Sequence, residues 1–536
     1  MRPLLVACLA AAAAAQSPEK RVVGYYTSWS IYARSYLADQ IPVTLVTHVN
    51  YAFANVVNGQ IALGDYYADV DRFYPGDCWD PGCRRGNFHQ LELHKQRHPG
   101  LRTLISIGGW TWSSNFSDAV LTPQSRQTFA ASIVTFVDQW GFDGADIDWE
   151  YPVGGGLTSN VARPQDRTNF TLFLQELRQQ FTARSVITGR QYLLSIAAPA
   201  NPSIIAHLEV PLISPLVDWV NVMTYDFHGP WGDPVTGMNS PLFADPGDPT
   251  PEPARSQFNT TSAIANYLAL GVPRDKLQIG VPFYGRGFAG VSAGPQSGLY
   301  RAYTNPSSPG TWEAGVYDWT DLRNNYVNRN GFAAHWMDLL RVPWLYNAAS
   351  ATFVSYDDPR SVCEKAWLVQ AADLGGVMFW EFSGDRQNDL LGPLNDWLRQ
   401  RPALRAPVRE LSLAQPAVLS LSLVGGSARA GRPYVVLGSF ADAWPGVTAV
   451  AGSPVLPLNI DALLGVFVNP MPPVLQQTIG VLDASGSGAS AIDVRSLAPL
   501  PSALLGMRLS LTAWVFDGPG VISGQPTNVV QVPFVP

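Results

Sequence analysis

The sequence predicts an α/β protein: a (β/α)8 barrel with a small α+β insertion between the seventh and eighth barrel strands, followed by a C-terminal all-β sandwich. Between residues 21 and 400, eight short β-rich runs alternate with longer helical patterns. The β runs are apolar throughout, which is typical of parallel strands covered on both faces. Eight β–α repeats over about 250 residues or more indicate a closed TIM barrel. An open doubly wound sheet is disfavoured because the chain has no Gly-rich phosphate turn.

The candidate helices and strands follow one another in the order that a barrel requires. In the helical segment TPQSRQTFAASIVTFVDQW, Thr122 suits a cap and Pro123 suits the first helical position. Apolar residues then recur at helical spacing from Phe129 to Trp140. The predicted strands are VVGYY (22–26), THVNYAFANV (47–56), TLISIGGW (103–110), FDGADIDWE (142–150), YLLSIAAPA (192–200), DWVNVMTYDF (218–227), LQIGVPFYGRGF (277–288) and GGVMFWEFSG (375–384).

Two regions depart from the β–α repeat. Residues 289–355 are too long a connection for one helix, so we expect the α+β insertion there, on the C-terminal rim where loops build active sites. The barrel domain would then span 21–400, with a Pro/Arg-rich linker at 401–410. From 411 to 536, short β runs such as AVLSLSLV and PYVVLGSF alternate with turn residues, which predicts the sandwich.

The N-terminus and the composition indicate a secreted protein. Residues 1–15 combine one Arg, an apolar run and small residues, as a signal peptide does, with cleavage near Ala15. That run is too short to span a bilayer, and we expect no membrane span elsewhere. The net charge is −7 with no basic patch, which argues against nucleic acid as a partner. With only 14% charged residues and many aromatic ones, the chain suits neutral ligands, and we expect a monomer.

The cysteine positions do not indicate a metal site or a catalytic thiol. Cys78 and Cys83 lie in the loop DCWDPGC, where a disulfide and two free thiols are both compatible with the sequence. Cys363 sits in a helical pattern and reads as a buried thiol. No Cys/His cluster has the spacing of a zinc site, so we expect no metal and no other cofactor.

The stretch DGADIDWEYP (143–152) contains the strongest chemical signal in the chain. Side chains alternate faces along a strand, so Asp146, Asp148 and Glu150 project from one side at a spacing of about 6.6 Å. The residues between them project into apolar packing. In a closed barrel the side of the acids is the interior, and Glu150 lies near the carboxyl end of the strand, where catalytic groups of such barrels lie.

Three carboxylates in a confined space cannot all ionise at low cost. At least one should stay protonated near neutral pH and share its proton with a neighbour. A carboxyl group held in this way can act as a general acid. A Ca²⁺ loop would place its acids in a flexible Gly-rich turn, not between Ile147 and Trp149. Asp143 falls on the opposite face and is expected to be structural.

DGADIDWEYP resembles the DxxDxDxE signature of family-18 glycoside hydrolases, and WEYP is similar to the chitinase form of it. The resemblance covers most of the barrel. It implies a secreted chitinase of the deep-cleft subgroup, acting on β-1,4-linked N-acetylglucosamine. Further stretches that resemble motifs of this family are SIGGW (106–110), MTYDFHGPWG (223–232), FYGRGF (283–288), YDWTDL (317–322), SYDDPRSV (355–362) and GGVMFWEFSGD (375–385).

The resemblance also implies a retaining, substrate-assisted mechanism. Glu150 would protonate the glycosidic oxygen, and the substrate's own 2-acetamido oxygen would form an oxazolinium intermediate that water then opens. Asp148 would hydrogen-bond the acetamido N–H, and Asp146 would share a proton with Asp148. Tyr225 would hydrogen-bond the acetamido carbonyl, with Asp226 beside it.

Several residues are implied as substrate contacts. Trp380 would form the apolar floor under the sugar at the cleaved bond, while Trp110 and Trp231 would stack sugars on the leaving-group side. Ordinary core packing is the alternative for each aromatic residue. The other residues implied to line the site are Tyr25, Phe53, Met223, Tyr284 and Arg286.

Two other functions compete with a chitinase. One is an endo-β-N-acetylglucosaminidase acting on glycoproteins or peptidoglycan. The other is a non-catalytic chitin-binding lectin on the same barrel, which the presence of Glu150 disfavours. For the C-terminal domain, polysaccharide binding, surface tethering and an export role all remain open.

Overall fold

The computed structural model of the chain divides into two compact units. One comprises Lys20–Val369 with Leu374–Arg399, and the other includes the described residues from Gln400 onward. The predicted signal peptide, 1–15, lies outside the described residues. Among the residues that are described, no helix has both the length and the apolar character needed to cross a bilayer. The structure describes residues 20–304, 308–400, 403–405, 411–412, 418–425, 427–439, 447–448, 455–456, 475–497, 507–518, 524–527 and 530–535.

Eight parallel strands of the first unit form the predicted barrel. They are β1 (Arg21–Thr27), β2 (His48–Val57), β3 (Arg102–Gly108), β4 (Gly144–Asp148), β5 (Leu193–Ala198), β6 (Trp219–Val222), β7 (Leu277–Pro282) and β8 (Gly376–Trp380). Each strand pairs with the next along the chain, and β1 also pairs with β8, which closes the ring. The end of β2 pairs in addition with the short antiparallel strand Gln60–Ala62.

Helices connect the strands, and the longest ones have clear local causes. The helix that precedes β4 begins where the Thr122 hydroxyl accepts the N–H of Ser125 at 3.1 Å, and it ends at Gly141 in the left-handed conformation. Phe129 and Ile133 on its inner face are fully buried. The helices are α1 (Gly86–Arg97), α2 (Phe116–Ala119), α3 (Pro123–Trp140), α4 (Asp166–Thr188), α5 (Pro202–Ile205), α6 (Val210–Ile213), α7 (Ala254–Gln257), α8 (Thr260–Ala269), α9 (Trp319–Asp321), α10 (Pro359–Ala371) and α11 (Leu391–Asn395).

The start of β4 is fixed by two neighbouring residues. Gly144 faces Leu193 of β5, and a Cβ placed on Gly144 would lie 1.9 Å from the Leu193 carbonyl oxygen, so only glycine fits. Asp143 accepts the backbone N–H of Thr103 at 2.8 Å and pairs with Lys95 at 2.7 Å. Asp143 therefore anchors the strand from outside the acid cluster.

The α+β insertion begins earlier than the sequence pattern predicts. The run 277–288, predicted as one strand, is two: β7 ends at Pro282, and Tyr284–Ala289 joins the sheet of the insertion. Phe283 makes the turn, with its N–H donating to the Trp380 carbonyl at 2.7 Å. The order of this five-stranded antiparallel sheet is Val316–Asp318, Tyr284–Ala289, Thr352–Ser355, Val342–Asn347 and Ala333–Met337.

The described residues of the second unit form the predicted all-β sandwich. Leu421 from one sheet and Leu511 from the other belong to a single buried core, as does Trp514, which is 6% exposed. One sheet contains Ala403–Arg405, Val418–Val424, Ser487–Asp493 and Leu475–Gln476. The other contains Leu411–Ser412, Val530–Val535, Arg508–Phe516, Pro433–Ser439 and Ile479–Val481, with Gly524–Pro526 beside Arg508–Phe516; Val447–Thr448 and Val455–Leu456 form a separate pair.

Part of the predicted linker 401–410 is a strand. Ala403–Arg405 pairs antiparallel with Val418–Val424 at the edge of the sandwich. The physical reason is the burial of Leu404, which is 1% exposed in the sandwich core. The remaining residues of 401–410 lie outside the part of the chain that the structure describes.

Candidate active site

The acid cluster lies at the carboxyl end of β4, inside the barrel mouth. Asp146 and Asp148 belong to β4, and Glu150 follows just beyond its last residue. Trp149 points the other way and stacks on Phe116 with 5.2 Å between ring centres. The period-two alternation therefore separates the three acids from the apolar packing around the barrel.

Asp146 is fully buried and receives four hydrogen bonds. Its Oδ2 accepts from the hydroxyls of Tyr25 at 2.7 Å and Ser106 at 2.8 Å. Its Oδ1 accepts from the Ser195 hydroxyl at 2.6 Å and from the Asn221 amide at 3.2 Å. Burial raises the pKa of Asp146, and these four hydrogen bonds oppose that rise.

Asp148 differs from Asp146 in its hydrogen bonding. It is also buried, but its Oδ1 has no hydrogen-bond partner among the described residues. Burial raises the pKa of Asp148 well above its ordinary value, and the charges of Glu150 and Asp146 raise it further. Asp148 is therefore the acid of the cluster that keeps a proton most readily near neutral pH.

Glu150 is half-buried at the mouth of the barrel. Its backbone is held on both sides, because its N–H donates to the Ser113 hydroxyl at 2.8 Å and its carbonyl accepts from Asn160 at 3.0 Å. Burial raises the pKa of Glu150 to about 7; a hydrogen bond with Tyr151 opposes the rise and the charge of Asp226 adds to it. A carboxyl group poised in this range suits a general acid that later acts as a base.

Tyr225 and Asp226 lie in the loop after β6, since β6 ends at Val222 rather than continuing through them. The Tyr225 hydroxyl donates to the sulfur of Met378 at 3.6 Å. Asp226 has a left-handed backbone (φ 56°), and its N–H donates to the Asn239 side chain at 3.0 Å. A non-glycine residue in this conformation costs free energy and marks a position that its surroundings hold in place.

The carboxylate of Asp226 is bound by two residues of the insertion. Arg286 donates to both of its oxygens, and the Tyr284 hydroxyl donates to Oδ1 at 2.8 Å. The Arg286 guanidinium also lies 5.0 Å from the ring centre of Trp231. The strand Tyr284–Ala289 thus connects Asp226 to an exposed aromatic residue.

An aromatic floor lies beside the acids. Trp380, the last residue of β8, lies 5.4 Å from Tyr25 and 5.7 Å from Phe53 between ring centres, the latter pair being stacked. Met223 packs against the same cluster. Trp29, which the sequence analysis does not single out, extends this floor at 6.3 Å from Trp380 and is 39% exposed.

Trp110 and Trp231 are exposed, by 47% and 53% respectively, unlike the packed core aromatics. Trp110 follows two glycines with positive φ, Gly108 and Gly109. A Cβ on Gly108 would lie 2.3 Å from the Asp148 carbonyl oxygen, so the SIGGW stretch lets β3 approach the acid strand closely. Both Trp residues are therefore available to a ligand.

Of the four residues that hydrogen-bond Asp146, sequence reasoning named Tyr25 and missed the other three. Ser106 and Ser195 lie directly opposite Asp146 in the registers of β3 and β5. Asn221 reaches it from β6. A period-two count along each strand would have placed Ser106 and Ser195 inward, but only the register assigns them to Asp146. Asn239, which orders Asp226, carries no local signal.

Cys78 and Cys83 form a disulfide, with their Cα atoms 5.8 Å apart. Asp80 lies close to both sulfurs, and these three residues make up the one cluster of potential metal ligands found within the described residues. With both sulfurs in a disulfide, neither is a thiolate ligand.

A closed barrel with buried carboxyl groups at the end of β4 belongs to the class of (β/α)8 enzymes whose chemistry lies at the carboxyl ends of the strands. Residues 21–385 match glycosyl hydrolases family 18, and the chain belongs to that family. Among curated relatives, chitinase A1 of Niallia circulans is 43% identical over 406 residues, which cover 70% of this chain and 58% of that protein. The match thus spans less than two thirds of that relative's length.

Solved structures resemble the chain over different lengths. Chitinase ChiA74 from Bacillus thuringiensis aligns with a TM-score of 0.68 at 31% identity, over 96% of this chain and 85% of that one. A family 18 N-acetylglucosaminidase from Paenibacillus barengoltzii aligns with a TM-score of 0.60 at 31% identity, over 71% of this chain and all (100%) of that one.

Proposed function

We propose that the protein is a secreted chitinase that hydrolyses β-1,4 linkages between N-acetylglucosamine residues with retention of configuration. The observation that carries this proposal is the position of two carboxyl groups at the end of β4. Burial there raises the pKa of Glu150 to about 7, and Asp148 has a buried oxygen without a hydrogen-bond partner among the described residues. The family membership and the chitinase names of its relatives support the substrate.

The first step uses Glu150 as an acid. Its proton passes to the glycosidic oxygen, the bond from the anomeric carbon to that oxygen breaks, and the 2-acetamido oxygen of the same sugar bonds to the anomeric carbon. This gives an oxazolinium ion. Asp148 passes its proton to Asp146 when the substrate binds. As a carboxylate, it then accepts the acetamido N–H on its unpartnered Oδ1 and offsets the positive charge that develops.

The second step returns the proton. Glu150, now a carboxylate, takes a proton from water, and the resulting hydroxide opens the oxazolinium ion on the face that the leaving group vacated. The stereochemistry is therefore retained without a protein nucleophile. Asp226 does not compete for that role, because Arg286 and Tyr284 occupy its carboxylate.

The aromatic residues fit the apolar faces of sugar rings. We assign Trp380 as the plate under the sugar at the cleaved bond and Tyr225 as a donor to its acetamido carbonyl. Trp110 and Trp231 are exposed enough to stack further sugars. The signal-like residues 1–15 support export, and we propose a monomer.

The test is the variant Glu150→Gln, assayed for release of soluble oligosaccharides from colloidal chitin. Loss of the acid should lower the rate by about 10²–10⁴-fold while chitin binding persists. Asp148→Asn should lower kcat as well. The matched control is Glu92→Gln on the outer helix α1, which should keep wild-type activity. Undiminished hydrolysis by Glu150→Gln would refute the assignment, and an inactive wild type that binds chitin would favour the lectin.

The second candidate is the endo-β-N-acetylglucosaminidase of the sequence analysis, which would act on glycoproteins. Wild-type protein offered a high-mannose glycoprotein and colloidal chitin in parallel distinguishes the two. A chitinase releases chitooligosaccharides and leaves the glycan attached.

A further inference from the structure

His228 is buried in the connection that follows Tyr225 and Asp226. Its two ring nitrogens face different carboxylates: Nδ1 lies 3.4 Å from Oδ2 of Asp233, and Nε2 lies 3.8 Å from Oδ2 of Asp248. These are distances of charge contacts rather than of hydrogen bonds. In the ion pairs that the described residues form, Asp233 and Asp248 have no other cationic partner.

The doubly protonated ring suits this environment. An ionised carboxylate only accepts hydrogen bonds, and a neutral imidazole carries an N–H on one nitrogen and a lone pair on the other. A neutral His228 would therefore direct a lone pair at one of the two carboxylates and leave both largely buried charges uncompensated. The imidazolium form directs an N–H at each carboxylate, including the buried Nδ1, which has no hydrogen-bond partner among the described residues.

Other groups near the ring do not supply a positive charge. The Tyr303 hydroxyl donates to the backbone carbonyl of Asp233 at 2.9 Å, and the Tyr300 hydroxyl donates to Asp245 at 2.9 Å. Phe258 packs against the imidazole with 6.2 Å between ring centres. His228 is therefore the group that compensates the two carboxylates.

The loop 229–237 folds around this imidazole. Oδ2 of Asp233, the atom that faces Nδ1, also accepts the N–H of Gly229 at 2.8 Å and so closes a turn. On the other side, a Cβ placed on Gly237 would lie 2.4 Å from Cγ of His228, so the ring packs directly against the backbone there. The imidazole thus supports both limbs of the loop.

Trp231 belongs to the same loop, and its indole covers Gly229. A Cβ placed on Gly229 would lie 2.0 Å from Cη2 and Cζ3 of Trp231. The guanidinium of Arg286 also contacts this indole, and about half of Trp231 remains exposed. The orientation of Trp231 therefore depends on the position of Gly229, which the hydrogen bond to Asp233 determines.

We propose that His228, as an imidazolium between Asp233 and Asp248, is a positioning residue for Trp231 and thereby for the sugars on the leaving-group side. The proposal rests on the proposed hydrolysis of chitin and adds a residue to it. Because His228 is buried, it acts through Asp233, Gly229 and the indole rather than by touching the substrate. Asp248 precedes α7, so the ring also connects the Trp231 loop to a second part of the chain.

The experiment is a double-mutant cycle on the hydrolysis of chitohexaose. His228→Gln removes the cation and keeps a polar side chain, and Trp231→Ala removes the indole. Each should raise KM by about 3–10-fold, because one aromatic contact to a sugar is lost, and should leave kcat within about twofold of wild type. The double variant should have the KM of Trp231→Ala alone, because His228 acts through that indole.

Two controls separate positioning from general damage. Trp110 follows β3 and lies on a different loop, so combining Trp110→Ala with His228→Gln should multiply the two increases in KM. His94→Gln replaces another buried imidazole, one whose Nε2 contacts the backbone carbonyl of Ala38 at 2.9 Å. That variant should keep wild-type KM and kcat.

Asp233→Asn tests the charge itself. The asparagine oxygen can still accept the N–H of Gly229, so a turn held by that hydrogen bond alone predicts wild-type KM. The proposal predicts the same increase in KM as in His228→Gln. Wild-type KM in Asp233→Asn would overturn it.

The remaining outcomes are equally distinct. If His228→Gln still raises KM in the Trp231→Ala background, or lowers kcat without changing KM, the proposal is overturned. Should His228→Gln not fold, the same cycle with Asp248→Asn decides. A wild type without activity overturns the proposed function instead. Amide hydrogen exchange of residues 229–233 then tests the loop, and exchange no faster in His228→Gln than in wild type overturns the proposal.

Discussion

The carboxylate of Asp226 and the guanidinium of Arg286 form a two-point ion pair, with Nε to Oδ1 and Nη2 to Oδ2 both at 2.7 Å. The same guanidinium lies 5.0 Å from the ring centres of Tyr284 and Trp231. One side chain thus holds the acid beside Glu150 and supports an exposed aromatic residue at the rim. The two-point contact requires a planar fork, and lysine lacks it.

Arg286→Lys should therefore impair catalysis although it keeps the charge. We expect kcat/KM on soluble chitooligosaccharides to fall by about 10–100-fold, the effect of losing one hydrogen bond to a charged group. The matched control is Arg360→Lys. Arg360 also lies over an indole, that of Trp336 at 3.7 Å, and pairs with Asp338, but its ion pair is exposed. Equal losses in the two variants would contradict the role given to Arg286.

The alkaline side of the pH profile should report on Glu150. Burial is the main cause that raises the pKa of Glu150 to about 7. Because Glu150 donates a proton in the first step, kcat should fall as the pH rises through about 7. Asp226→Asn removes a negative charge that adds to this pKa, so its alkaline limb should move to lower pH. Asp338→Asn, at an exposed site, is the control and should leave the limb in place. A limb that stays or moves upward in Asp226→Asn would speak against this electrostatic coupling.

A buried ion pair, Lys365 with Asp357, is connected by hydrogen bonds to the residue that precedes Tyr225. The Lys365 ammonium donates to Asp357 at 2.6 Å and to the Ser240 hydroxyl at 2.7 Å, and Ser240 donates to the Thr224 carbonyl at 2.6 Å. Burial lowers the pKa of Lys365, and the charge of Asp357 opposes that change.

Lys365→Met should leave Asp357 as an unpaired buried charge and destabilise the barrel by about 3–5 kcal/mol. Urea unfolding followed by Trp fluorescence measures the loss. The double variant Lys365→Met/Asp357→Leu should recover most of it, because an apolar pair can replace a buried ion pair. Arg84→Met breaks the exposed pair with Glu92 and should cost about 0–1 kcal/mol. If Lys365→Met lowered the free energy of unfolding by no more than Arg84→Met does, the buried ion pair would not be needed for stability.

Local sequence patterns predict those features of the site that depend on a single strand. Period-two alternation separates the acids of β4 from Trp149, and that arrangement needs no partner strand. The partners of Asp146 depend on register: Ser106 and Ser195 are adjacent to it only because β3 and β5 align there. No single-strand pattern contains that information.

Long-range pairing explains the other differences. Pro282 marks a break in the run 277–288, but a proline does not indicate which sheet the following residues join. Tyr284–Ala289 pairs with strands of the insertion instead of continuing β7. Leu404 likewise lies in a segment whose local pattern predicts a linker, and only its pairing with the strand Val418–Val424 shows that it belongs to the sandwich. Trp29 lies in the short 3-10 segment Ser28–Ile31, where no periodicity indicates which way a side chain points.

Gly144 offers the sharpest test of the register between β4 and β5. In Gly144→Ala, the new methyl group would lie 1.9 Å from the Leu193 carbonyl oxygen, and its other close neighbours are backbone atoms of the same residue. Because the backbone of β5 cannot rotate away as a side chain could, β4 must shift, and Asp146 with it. We expect a markedly lower Tm and loss of chitin hydrolysis. Gly100→Ala, where a Cβ would meet no atom within 4 Å, should change neither. Wild-type Tm and activity in Gly144→Ala would mean that the close β4–β5 contact is not required for the site.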